Sequence, residues 1–150
     1  MLLLSSQAVS SLFVDLAWLA GAVWGLFTHR ILLGGMEYLF DTQYPLWVRL
    51  ISSFHMMLPL ALLWVLYRTG YDRRGWTLQA AIAAFAFVAA RFTSPEENIN
   101  YAFRDPFFRR SWGPAPVHLA VSLLFLNVVA YFPAHRIFSS IFSRPAKGAL

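Results

Sequence analysis

RFTSPEENINYAFRD, residues 91–105, decides the fold, because it opens the one long polar interruption in a chain that otherwise reads as hydrocarbon. An apolar block runs directly into it, and by His118 the chain has entered another. Arg91, Glu96, Glu97, Asn98, Asn100, Arg104, Asp105 and His118 give this stretch a density of hydrogen-bonding side chains found nowhere else in the sequence. A polar loop between two greasy blocks belongs at a membrane surface, with the blocks on either side crossing the bilayer.

Composition agrees. Of 150 residues, 59% are hydrophobic and 13% charged, whereas a soluble domain carries about a quarter charged residues. The apolar residues fall into four blocks of roughly 20, the length that crosses about 30 Å of hydrocarbon at about 1.5 Å per residue. The sequence therefore predicts an all-α, polytopic membrane protein of one domain with four transmembrane helices, over residues 8–28, 45–68, 76–93 and 116–134. An interfacial segment is expected after the first helix and a short interfacial helix between the third and fourth. The formal charge of +5 and pI near 10.1 would suggest nucleic acid in a soluble protein. Here the basic residues flank apolar blocks, so the partner they suit is the anionic lipid headgroup, not nucleic acid. With no cysteine, disulfides, thiolate metal sites and cysteine nucleophiles are absent.

Ahead of the first block, Ser5, Ser6 and Gln7 offer N-cap chemistry. Gly21 and Gly25 stand one turn apart inside it, a spacing that admits a close helix neighbour, within the chain or in a second copy. Asp15 is placed one to two turns inside this block, as an interfacial acid or a proton or ion ligand. Residues 29–44, HRILLGGMEYLFDTQY, form the interfacial segment, with Ile31, Leu32, Leu33, Met36, Leu39 and Phe40 dipping inward and Gly34-Gly35 supplying the bend.

The second block begins at Pro45 and carries His55 near mid-depth. Pro59 follows four residues later, so a kink is expected that frees the carbonyl of His55. The short turn RTGYDRRGW makes the second and third blocks an antiparallel hairpin. Alanines dominate the third block, which suits a helix at the centre of a bundle. Ser94-Pro95-Glu96-Glu97 then spells a helix start, with serine as cap and Glu97 closing a capping box. Tyr101, Phe103, Phe107, Phe108 and Trp112 alternate with Arg104, Arg109 and Arg110. Together with Arg49, these arginines are the expected lipid-headgroup contacts. In the fourth block, Asn127 is expected to bond to another helix, and His135-Arg136 and the tail to lie at the interface.

Several pieces together, Phe54-His55 with Pro59, Gly70-Tyr71-Asp72-Arg73-Arg74, Asn98-Ile99-Asn100-Tyr101-Ala102-Phe103 and Pro133-Ala134-His135, resemble a group of small bacterial polytopic proteins described only as membrane-associated. The resemblance spans about residues 37–138. It implies a bacterial inner-membrane setting and carries no activity or cofactor.

Four crossings put both termini on the side of the 68–74 turn. Lys and Arg divide six against six between the two sides, and the short-loop charges favour cytoplasmic termini. The same topology gathers His55, Arg91, Glu96, Glu97, Asn98, Asn100 and His118 towards one end, with Asp15 and His135 towards the other. Two functions fit. One is an accessory or structural subunit that binds lipid, a larger membrane complex or its own copies. The other is a membrane enzyme or metal or cofactor site on His55, Glu97 and His118, although no tight metal spacing such as His-x-x-x-His occurs.

Overall fold

A computed structural model describes residues 1–32 and 36–142. Gly34-Gly35, Leu33 and the tail bearing Arg144 and Lys147 lie outside the described residues. The described chain is all helix and turn: α1 Leu2–Thr28, α2 Leu46–Ile51, α3 Phe54–Thr69, α4 Gly75–Ala90, α5 Ala115–Leu126 and α6 Phe132–Ile141. Three rods are long and apolar enough to cross a membrane: α1, the α2–α3 run Leu46–Thr69, and the α5–α6 run Ala115–Ile141. The fourth, α4, is apolar but only 16 residues long.

The surfaces of these rods are compatible with lipid. Phe27 is 83% exposed, Tyr67 77% and Phe85 77%, on helices whose outer faces also show Trp24, Leu26, Trp64 and Leu124, and Phe92, just past the end of α4, is 85% exposed. Apolar faces on that scale mark a membrane or partner surface rather than a water-facing one. The interior is correspondingly thin: Ala8, Val9, Leu62, Leu66, Ala83, Ala130, Tyr131, Ala134 and Phe138 form its main cluster. In lipid such a core holds by close packing of small residues, because hydrocarbon outside is as apolar as hydrocarbon inside.

The hub of the bundle is α1, not the alanine-rich α4. It packs against α3, α4, α6 and the turn before α6, whereas α3 and α4 are not principal neighbours. The expected hairpin of second and third blocks is thus opened by α1 lying between its arms. Small residues make this possible, since the inward side of α1 holds Ser5, Ser6, Ala8, Ser11, Gly21 and Gly25. A Cβ on Gly75 would stand 2.7 Å from Ser5 Cβ and 2.8 Å from the Ser5 carbonyl carbon, so α4 starts directly on α1. Gly25 receives the Phe40 ring, which occupies the space a Cβ would need. The Gly21-x-x-x-Gly25 face is therefore at least partly used by the chain's own interfacial segment.

Several boundaries differ from the sequence expectation. Ser5 and Ser6 do not cap α1, which starts at Leu2; they are buried within it. Ser5 Oγ instead accepts the Asp72 amide at 2.9 Å, and Ser6 Oγ donates to Leu3 O at 2.8 Å. The last rod runs to Ile141 rather than residue 134, taking His135 inside it. No short helix begins at Pro95: residues 95–97 form a turn, followed by a 3-10 turn over Ile99–Tyr101. Asn98 and Asn100 adopt left-handed backbone, φ 47 and 52, which stops an α-helix. The serine hydroxyl goes to Glu96, not to a Glu97 capping box.

Two of the long rods are also interrupted. The second rod is interrupted at Ser52-Ser53, where His55 N–H bonds Ser52 O and Met56 N–H bonds Ser53 O in 3-10 fashion, while α3 runs on through Pro59. The buried Ser52 hydroxyl is held by the Tyr38 hydroxyl of the interfacial segment. In the last rod a π-helical turn, Asn127–Tyr131, separates α5 from α6. Pro133, with no N–H to give, follows immediately. Asn127 bonds back to Leu123 O at 2.8 Å on its own helix rather than across to a neighbour.

Candidate functional site

Two polar assemblies stand out, one at an end of the bundle and one at its middle. The first is the lid formed by residues 91–114. Asn98 organises it: its Oδ1 accepts Phe103 N–H at 3.0 Å and Arg104 N–H at 2.9 Å, and its Nδ2 donates to Arg104 O at 2.8 Å. Asp105, 6% exposed, accepts the amides of Phe107, Phe108 and Arg110 at 3.0, 2.7 and 3.2 Å. Burial works against its ionisation, but the backbone donors of Phe108, Arg110 and Phe107, with the Arg110 charge, outweigh it and hold the carboxyl below its ordinary range. The Ser94 hydroxyl likewise holds the Glu96 carboxyl low.

His118 fastens the lid to α5. It is 1% exposed. Trp112 N–H donates to its Nδ1 at 3.3 Å, so the ring proton is on Nε2, which donates to Tyr101 O at 3.0 Å. Both ring nitrogens are occupied by backbone. Arg91, at the end of α4, donates to Ala102 O at 3.3 Å and lies over the Phe103 ring at 4.1 Å. Glu97 is exposed on the 95–97 turn, and Asn100 is exposed on the 3-10 turn. Outward, Arg110 covers Phe108 and Trp112 at 5.5 and 4.6 Å, Arg109 meets Glu37 at 3.2 Å, and Arg104 donates to Pro95 O at 3.1 Å.

The second assembly is inside the bundle and joins residues expected at different levels. His55 Nδ1–H donates to Asp15 Oδ1 at 2.7 Å, and the Ser11 hydroxyl donates to Asp15 Oδ2. Asp15 is 5% exposed. Trp18 stacks on the imidazole with centroids 4.7 Å apart, and Phe54 approaches at 4.1 Å. A first helix that starts at residue 8 puts Asp15 near the interface. Six residues of additional helix, about 9 Å, carry it down to the level of His55.

The sequence-derived cluster is therefore divided. Arg91, Glu96, Asn98 and His118 serve the lid, while His55 turns to Asp15. Arg49, expected at the headgroups, is half-buried on α2, and its Nε is buried with no hydrogen-bond partner. Among the described residues, no three His, Asp or Glu side chains gather closely enough to hold a metal ion. At the opposite end from the lid, Tyr71 OH donates to His135 Nδ1 at 3.0 Å. Burial first, and the nearby Asp72 charge second, push that phenol up to about 12, so it keeps its proton for the bond.

What sequence reasoning missed was the Ser11–Asp15 spacing. Residues four apart share a helix face, so a serine one turn before a lone intramembrane carboxylate was a readable sign of a built site. The chain matches no family model, no curated protein and no solved structure.

Proposed function

We propose that this chain is a small four-span protein of the bacterial inner membrane, a non-catalytic accessory component whose lid holds anionic lipid headgroups. The observation that carries this reading is how the lid spends its polar groups. Asn98, Asp105 and His118 bond to lid backbone, as does Arg91 from beneath, which leaves the outward surface to Arg104, Arg109, Arg110, Phe107, Phe108 and Trp112. Each guanidinium has five N–H donors, so one protein contact leaves donors for a phosphate. Rings at the headgroup level with arginines beside them suit that phosphate layer.

The fourth crossing is supported by where α4 ends. Its first residue rests on Ser5 and its last leads into Arg91 beneath the lid, so it joins the two ends that the longer rods also join. At about 24 Å it is short for about 30 Å of hydrocarbon, a mismatch that local thinning and snorkelling of Arg74 and Arg91 accommodate. Both termini then lie on the cytoplasmic side with the 70–74 turn. The bacterial setting rests on the resemblance of residues 37–138 to small bacterial membrane proteins.

Native mass spectrometry of the full chain, purified from nanodiscs of mixed phosphatidylglycerol and phosphatidylcholine, tests the lid. The wild type should retain phosphatidylglycerol preferentially, and the triple variant R104A/R109A/R110A should lose that preference. Equal retention of both lipids by the wild type, or an unchanged preference in the variant, would overturn the proposal.

A further inference from the structure

The Ser11–Asp15–His55 assembly is not needed to build the lid or to hold a headgroup, and it is an expensive thing to keep at mid-depth. Apolar residues of the same volume would pack α1 on α3 at least as well, since buried ion pairs rarely repay their desolvation. Ionisable groups inside a membrane bundle are, for that reason, first candidates for handling protons or ions.

We propose that Asp15 and His55 form a proton-binding site at the middle of the bundle, supplied from the end that carries Ser5 and the 70–74 turn. The site extends the membrane-spanning reading and is independent of the lipid-binding lid.

The geometry defines two states. With one proton on Nδ1 and a carboxylate on Asp15, the pair carries a net negative charge. Addition of one proton neutralises it, and that proton belongs to the pair, as imidazolium beside carboxylate or as carboxylic acid beside imidazole. Because a bare negative charge is costly in low dielectric, release of the proton requires water to reach the pair.

A route for water follows a line of buried polar side chains, one of which has no hydrogen-bond partner. On α1, buried Ser5 and Ser11 lie on the stretch leading to Asp15. Gly75 packs on Ser5, and Gln79 follows one turn further along α4, which runs parallel to α1. Gln79 is 5% exposed, and its Oε1 has no hydrogen-bond partner. A buried amide oxygen left open in this way would be satisfied by a water entering along α1. The His55 side chain is 21% exposed while Asp15 is 6%, so the imidazole is the more accessible half of the pair.

Few other charges face the pair. Asp15 is the one ionisable residue of α1 and His55 the one in α3 before Tyr67 and Arg68, while α4 has none. The last rod presents Tyr131, buried on the π-helical turn; its His118 and His135 are engaged by Tyr101 and Tyr71. Arg49, six residues before His55, makes no ion pair with Asp15; the salt bridge to that carboxylate comes from His55.

Infrared difference spectroscopy of the full chain in nanodiscs, stepped through pH, reads the site directly. The wild type should show paired proton-dependent changes in a carboxyl stretch and in imidazole ring modes. D15N should lose the carboxyl change, and H55Q should lose the imidazole change and shift the carboxyl band. Because D15N or H55Q can fail to fold, S11A provides a milder probe: it should shift the same carboxyl band by removing one hydrogen bond. Gln79→Leu should leave the bands in place and slow their exchange into D2O. Absence of any such band in folded wild type, no shift in S11A, or a carboxyl change intact in folded D15N would each overturn the site. Unslowed exchange in Gln79→Leu would overturn the route. None of these outcomes bears on lipid retention by the lid.

Discussion

Gly75 is the residue on which the bundle closes at one end. A methyl there would meet the Ser5 Cβ, the Ser5 carbonyl carbon and the Ser6 nitrogen at 2.7, 2.8 and 2.9 Å, the last two atoms of a helix backbone and the first fixed directly to it, so none can swing aside. Gly75→Ala should therefore destabilise the protein by about 1–3 kcal/mol, the usual cost of overpacking. Thermal unfolding in detergent checks it, with Gly113→Ala as a contrast whose Cβ has ordinary room but an unfavourable φ of 134. Asp105 sets a second residue-scale expectation. Its carboxyl is held low in the folded state, so its contribution is complete above the unfolded carboxylate range and is lost as pH falls through the folded value. Hydrogen exchange at the Phe107, Phe108 and Arg110 amides should accelerate as pH drops below about 4, beyond the intrinsic trend. Asp105→Asn keeps an acceptor oxygen and should remove most of that pH dependence. Of these roles, only the density of polar residues could be read beforehand. Asn98 crosses to residues 103 and 104 where the backbone is left-handed at positions 98 and 100, and Asp105 collects three amides across a turn whose Arg109 is left-handed as well. Propensity does not forecast such conformations, and the Ser-Pro-Glu-Glu signal pointed to a helix instead.

At the scale of elements, the apolar rods were legible because their length and composition are extreme, and their ends were not. Leu2-Leu3-Leu4 reads as more hydrocarbon, yet it begins α1 and so sinks Asp15 by the better part of two turns. The break at Ser52-Ser53 is met by the Tyr38 hydroxyl, fourteen residues away, and no local pattern reports it. The lid and α5 are tied mainly through His118, whose two nitrogens take one donor and one acceptor from lid backbone. His118→Ala removes both and leaves a cavity in a site that is 1% exposed. The cost should be about 2–4 kcal/mol, with most of it expressed as opening of the lid rather than loss of the rods. Limited proteolysis after Arg104, Arg109 and Arg110 should quicken markedly in His118→Ala while far-ultraviolet helicity stays near wild type. Equal proteolysis rates in variant and wild type would mean that Asn98 and Asp105 hold the lid without the latch.

For the whole molecule, what matters is which ends of which rods meet. Ser5 accepts the Asp72 amide and Tyr71 N–H reaches Phe142 O at 3.2 Å, which ties the start of α1, the 70–74 turn and the end of α6 together. At the other end Arg109 crosses to Glu37 and Gly25 holds Phe40, which ties the lid and the interfacial segment to the end of α1. Each described rod, α4 included, runs from one of these ends to the other, the alternation that the proposed four crossings would need. The chain contains no cysteine, so single substitutions supply clean labels. Arg73→Cys and Arg109→Cys, both at exposed positions, should react with a membrane-impermeant maleimide from opposite faces of sealed vesicles. If α4 instead lay flat on the surface, the 70–74 turn and the lid would share a face, and both cysteines would label from one side. In that arrangement the α5–α6 rod would have to leave the membrane away from the 70–74 turn, breaking both the Tyr71 to Phe142 and the Tyr71 to His135 hydrogen bonds. The labelling pattern and a cross-link between positions 71 and 142 must therefore agree, and a cross-link with same-side labelling would refute the bundle as a membrane-spanning unit.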